Sequence, residues 1–99
     1  PFQAINAADI FPFTEAISFA VDCGDQDEVD YYWNALLEGG SAMACGWLKD
    51  KYGVSWQIVP RRLNELLRAD DRVRAGQVMR KMLAQQKIDI DELEAAWAE

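Results

Sequence analysis

The pattern of apolar and polar positions divides the 99-residue chain into a strand-and-helix part up to Pro60 and a helical part after it. In "EAISFAVD" (15–22), Ile17, Phe19 and Val21 face one side and Ala16, Ser18 and Ala20 the other. That two-residue period predicts a half-buried strand with a bulky and a lean face. Val29, Tyr32, Trp33, Leu36 and Leu37 then recur at helical spacing, in one apolar stripe. Asp25 with Glu28 makes a capping box before this helix, and Gly39-Gly40 supplies its stop. "ACGWL" and "VSWQIV" predict a hairpin around Asp50-Lys51-Tyr52-Gly53, ended by Pro60. Pairing Lys49 with Val54 sets Leu48 opposite Ser55, Trp47 opposite Trp56 and Gly46 opposite Gln57, and opposed residues share a face. The predicted bulky face is therefore Cys45, Trp47, Trp56 and Ile58, lying under the helix. The predicted lean face is Gly46, Leu48, Ser55 and Gln57, lining something open.

After Pro60, "RRLNELLRA" predicts one short helix. Asp70 is the expected cap of a second, with Ala75, Val78, Met79, Met82 and Leu83 on one stripe. Asp89 and Glu92 form the capping box of a third, with Ile88 and Leu93 in staple positions and Trp97 near its end. Upstream, "FQAIN" (2–6) predicts a short strand, and Asp9 and Pro12 punctuate the connection after it. The expected class is α+β, a β-α-β-β-β unit with a helical extension. A sheet covered on one face only needs a second unit on its lean face.

Composition narrows the function. The net charge of −7 disfavours a phosphate-backbone partner. Basic residues concentrate between Arg61 and Lys87, and the Arg72–Lys81 segment reads as a solvated helix face rather than a nucleic-acid patch. No apolar run approaches a membrane span, and no signal peptide is visible. Histidine is absent, which removes the usual general base and the commonest metal ligand. Cys23 and Cys45 lack a C-x-x-C spacing and read as free thiols of a reducing, cytoplasmic protein. The chain opens on proline rather than methionine, so an upstream part is expected.

Four stretches, in order, carry a family resemblance: "EAISFAVDC", "VDYYWNALLEGG", "CGWLKDKYGVSWQIVP" and "VMRKMLAQQKIDIDELEAAWA". They resemble the second half of PhnB-like proteins, a family also labelled demethylubiquinone methyltransferase-like. The family belongs to the vicinal oxygen chelate (glyoxalase/bleomycin resistance/dioxygenase) superfamily. The W-L-K-D-x-x-G-x-x-W-Q-I-V-P run is the specific part. The resemblance implies a glyoxalase-like fold, two β-α-β-β-β modules forming a curved half-open barrel around a cleft. On that basis 1–14 is the last strand of a preceding module plus a connection, 15–60 is one module, and 61–99 is a C-terminal helical extension. A missing N-terminal module, or a second copy in a homodimer, would complete the barrel.

The resemblance also implies where a metal would sit. One ligand position of metal-dependent members falls near Ala16, and the last-strand glutamate falls at Gln57. Alanine cannot ligate and glutamine brings no negative charge, so no metal is expected in this half. The methyltransferase label would call for a glycine-rich loop after a strand. Gly39-Gly40 follows a helix instead, so no cofactor is expected.

The residues themselves point to a small-molecule cleft centred on the Gln57 amide. Ser18, Ser55 and Leu48 are expected nearby, and Asn6 would approach from the neighbouring strand. A few hydrogen bonds of this kind orient a small polar ligand. Trp47 and Trp56 are expected in the core, and Lys49 and Asp50 in a turn. The alternative is a non-catalytic assembly or dimerisation module, with the methionine stripe as its interface.

Overall fold

The alternating segment forms its strand later than predicted, as β1 (Phe19–Cys23). The structure, a computed structural model, describes residues 1–5 and 11–99. Helix α1 (Gln26–Leu37) follows, and Asp25 caps it by accepting from the Glu28 N–H at 2.9 Å. The Glu28 carboxylate reaches back to the Gly24 N–H at 3.3 Å, one residue earlier than the usual box. Then come β2 (Ser41–Ala42), β3 (Trp47–Lys49) and β4 (Ser55–Pro60). The sheet order is β1-β4-β3-β2, with β1 parallel to β4 and the other pairs antiparallel. This is the β-α-β-β-β unit and the α+β class expected.

The hairpin register corrects the prediction by one residue. Lys49 pairs with Ser55, Leu48 with Trp56 and Trp47 with Gln57. The loop has three residues rather than four. The Asp50 N–H donates to the Val54 carbonyl at 2.9 Å, and the Gly53 N–H to the Asp50 carbonyl at 3.0 Å. Gly53 sits at φ +86, the left-handed residue a three-residue hairpin loop needs. A slip of one residue exchanges the faces of a strand. Leu48, placed above in the cleft, is fully buried, and Trp47, placed in the core, turns to the open face. Gly46 does not stand opposite Gln57. A Cβ there would lie 2.9 Å from the Ile58 carbonyl oxygen and 3.0 Å from Ile88 Cγ1, at φ +82. The space that the glycine leaves is filled.

The core under α1 is Cys23, Val29, Trp33, Leu48 and Ile58, with Val21, Leu36, Leu37 and Trp56 at its margin. A second core lies among α2 (Arg61–Arg68), α3 (Arg72–Leu83) and α4 (Ile90–Ala98). Leu63, Leu66, Val78, Ile88 and Leu93 form it, and Val59 of β4 joins it. Asp71, not Asp70, caps α3 by accepting from the Arg74 N–H at 3.1 Å. Asp89 caps α4 as predicted, and Glu92 donates its N–H to it at 3.1 Å. The Asp89 N–H goes to the Gln85 side chain at 3.3 Å, so Gln85 completes that box in place of Glu92.

Two backbone bonds fasten the helical part to the sheet, Cys45 N–H to the Gln85 carbonyl (2.8 Å) and Gly46 N–H to the Gln86 carbonyl (2.7 Å). Gln26 clamps the same connection to α1, donating to the Ile88 carbonyl at 3.0 Å and accepting from the Ile90 N–H at 2.8 Å. Arg62 bridges α2 to Glu94 of α4. Residues 1–5 form no strand, and Phe2 and Ile5 are exposed. A lone strand has no partner for its N–H and C=O groups. No helix among the described residues is long and apolar enough to cross a membrane.

Candidate functional site

The face of the sheet turned away from α1 carries Ala20 and Asp22 of β1, Ser55, Gln57 and Val59 of β4, and Trp47 and Lys49 of β3. Its two ends are covered differently. At the far end of β4, Val59 is packed by the α2–α4 core. At the opposite end, Glu15 crosses to pair with Lys49, which holds the Glu15 carboxyl below its ordinary range. Ser55 is buried beneath this end, 1% exposed. Between the two covers lies a transverse strip, Ala20, Gln57 and Trp47 in register.

Gln57 is the centre of that strip. Its Nε2 donates to Ser18 Oγ at 2.9 Å, so the side chain is held in place. Its second amide hydrogen and its carbonyl oxygen have no partner among the described residues. Beside it opens a cavity of about 320 Å³, lined by Ala20, Asp22, Cys45, Gln57, Val59 and Asn64. Asp22 is paired with Arg61 of α2 at 3.2 Å. Cys45 sits at φ +63, uncommon for a residue with a side chain, and Gly46 follows at φ +82. The two bonds to Gln85 and Gln86 hold this pair of left-handed residues and set the Cys45 side chain at the cavity wall. The other thiol, Cys23, lies in the core, where burial pushes its pKa up and leaves it protonated and inert.

Of the residues singled out from the sequence, Ser18 and Gln57 are brought together. Ser55 shares their face but is sealed from the cavity beside Gln57. Leu48 belongs to the core, and Asn6 lies outside the described residues. Trp47, Cys45 and Asn64 are the additions that sequence reasoning missed. The overlooked signal is Asp50. Its carboxylate accepts from the Tyr52 and Val54 N–H groups at 2.9 and 3.0 Å and from Trp56 Nε1 at 2.9 Å. An aspartate that opens such a loop selects the three-residue turn, and with it the register that turns Trp47 outward.

Comparison with known proteins agrees with this architecture. A family model described as 3-demethylubiquinone-9 3-methyltransferase matches residues 1–59. The chain belongs to that family, the PhnB-like proteins. Among solved structures it is similar to the PhnB protein from Bacillus cereus, provisionally assigned as a 3-demethylubiquinone-9 3-methyltransferase. The two share 34% identity with a TM-score of 0.51, over 55% of this chain and 50% of that one. The chain thus spans about half the length of this PhnB-like relative. No curated protein matches it.

Proposed function

We propose that this PhnB-like chain is one module of a small-molecule-binding protein of the vicinal oxygen chelate superfamily. The ligand lies over the Ala20–Gln57–Trp47 strip, and a preceding module or a second copy closes the cleft. One observation carries this: Gln57 is fixed by Ser18 yet keeps amide hydrogen-bonding capacity beside a cavity of about 320 Å³. That volume lies near the lower limit of ligand pockets, roughly 300 Å³, as suits a site completed by a second wall. The chemistry it favours is orientation of a small polar molecule. Gln57 and Asn64 supply neutral hydrogen bonds, and the Asp22–Arg61 pair supplies charge.

Neither a metal nor a methyl donor fits the residues present. Ala16 has no side-chain donor atom, and Gln57 offers a neutral carbonyl oxygen that brings no negative charge to a divalent ion. The described residues hold no cluster of three or more His, Cys, Asp or Glu side chains that could take an ion. The family's name implies a methyl-donor cofactor. The turn between β1 and α1 has a single glycine, Gly24, and the space beside it is already taken. A Cβ on Gly24 would lie 3.0 Å from Glu28 Oε1 and 3.1 Å from Arg61 Nη2. Strand β4 passes into α2 with no intervening loop.

The test is a methyl-resolved NMR titration of the protein with a library of small polar fragments. Saturable shifts at Val59 and Leu63 that Gln57→Leu abolishes are expected. Shifts that persist in Gln57→Leu, or none at these residues, would overturn the assignment. A second reading, an assembly module, is favoured by Met79 and Leu83 of α3, which stay 41% and 58% exposed. Light scattering separates the two: a monomer at every concentration removes the α3 interface and leaves the cavity untouched.

A further inference from the structure

At the shared N-terminal ends of β1 and β4 lies another cavity, of about 270 Å³. Pro12, Phe13, Ile17, Phe19 and Val54 form its apolar wall, and Ser55 lines it as well. It shares no lining residue with the cavity beside Gln57. Ser55 is 1% exposed, and its Oγ has no hydrogen-bond partner among the described residues. A buried hydroxyl left unpaired is unfavourable, and native structures hold few of them. The other hydroxyl at the cavity, that of Thr14, accepts from the Ala16 N–H at 3.3 Å. A resident water needs two to four polar partners, and this wall is too apolar to supply them. Phe13, Ile17 and Phe19 are more than half exposed at its rim, a cost that an apolar occupant would relieve.

We propose that this cavity is a second binding site, taking a neutral, largely apolar molecule with one hydroxyl or carbonyl group that pairs with Ser55. Size and charge define the class. A cavity of roughly 150 Å³ accommodates benzene, so one of about 270 Å³ suits a fused two-ring aromatic. The lining has no charged side chain, which argues against an ion or a phosphorylated ligand. The site depends on neither Gln57 nor a second module.

The probe is 2-naphthol, followed by methyl-resolved NMR on the whole chain. Saturable shifts are expected at Ile17 and Val54, unchanged in Gln57→Leu. Ser55→Ala should keep the fold and weaken binding about five-fold, the worth of one hydrogen bond. Ala16→Phe, which fills the cavity from its wall, should abolish the shifts. The proposal is overturned by shifts confined to Val59 and Leu63, by no saturable shift at Ile17 and Val54, or by equal affinity in Ser55→Ala. Because the two cavities share no lining residue and report through different methyl groups, failure here is distinguishable from failure of the Gln57 site.

Discussion

The Asp50 carboxylate decides which side chains face the cleft, and removing its charge tests that claim. In Asp50→Asn the retained carbonyl oxygen can still accept from the Tyr52 and Val54 N–H groups, as Oδ1 does now. The new amide nitrogen then replaces Oδ2 and meets the Trp56 indole N–H, donor against donor. One charge-assisted bond is lost and a half-buried donor is left unpaired, worth about 2 kcal/mol together. For a domain of this length that lowers Tm by roughly 10 °C. Competing with it is the slipped register, which would carry Leu48 out of the core and Trp47 into it.

The same substitution has a pH signature. Burial pushes the Asp50 pKa up, but hydrogen bonds from Trp56 and from the Val54, Tyr52 and Gly53 backbone outweigh it, so the carboxyl is held below its ordinary range. A group with a depressed folded pKa contributes stability that is complete above the unfolded value, about 3.9, and is lost as pH falls through the folded one. Urea titrations from pH 7 down to pH 2 should therefore show a larger loss in the wild type than in Asp50→Asn. NMR reports register directly, through cross-strand contacts between Leu48 and Trp56 and hydrogen exchange at the Trp56 indole. Equal urea midpoints for the two proteins, with unchanged Leu48–Trp56 contacts and indole protection, would refute the claim that the carboxylate holds the turn.

Other substitutions check the same map. Leu48→Ala should cost about 2–5 kcal/mol in urea denaturation, as a buried leucine does, whereas Trp47→Ala on the open face should cost under about half of that. Gly46→Ala forces a Cβ against the Ile58 carbonyl and Ile88 at positive φ. It should destabilise by about 1–3 kcal/mol and expose the Gln85 and Gln86 connection to hydrogen exchange. The Arg62–Glu94 pair holds the Glu94 carboxyl below its ordinary range. Its contribution, about 0.5–1 kcal/mol at this partly exposed position, should be present at pH 7 and lost as pH falls through the Glu94 value, and Arg62→Ala should remove that dependence.

Much of this architecture was legible because local signals agreed with one another. Asp25 with the apolar stripe of α1, and Asp89 with the staple positions of α4, each fix an element by its own chemistry, and those elements stand where the pattern puts them. Alternation sets Ser18 and Gln57 on lean faces, and the parallel β1–β4 pairing, which alternation does not encode, brings them together. The hairpin was harder. Tryptophan's bulk argues for the core, yet Leu48 takes that place, because register follows the turn before it follows hydrophobicity. The turn depends on a side chain, Asp50, reaching its own backbone. Cys45 and Asn64 were illegible for another reason. They join the cavity only through contacts 40 residues along the chain or through a helix folded back on the sheet, which no local period encodes.

The two covers of the open face limit what is left uncovered on it. The helical core closes the sheet at Val59, and the segment before β1 closes it at Ser55 and Lys49. What stays open is one strip, three residues wide, and its central member is polar and already half satisfied by Ser18. Leaving that strip uncovered exposes little apolar surface apart from Trp47. On the proposed reading, a second module has this strip and the exposed Phe13, Ile17 and Phe19 left to cover. Its part would be to bring the opposite wall to Gln57, and variants of the strip should alter ligand binding far more than they alter folding.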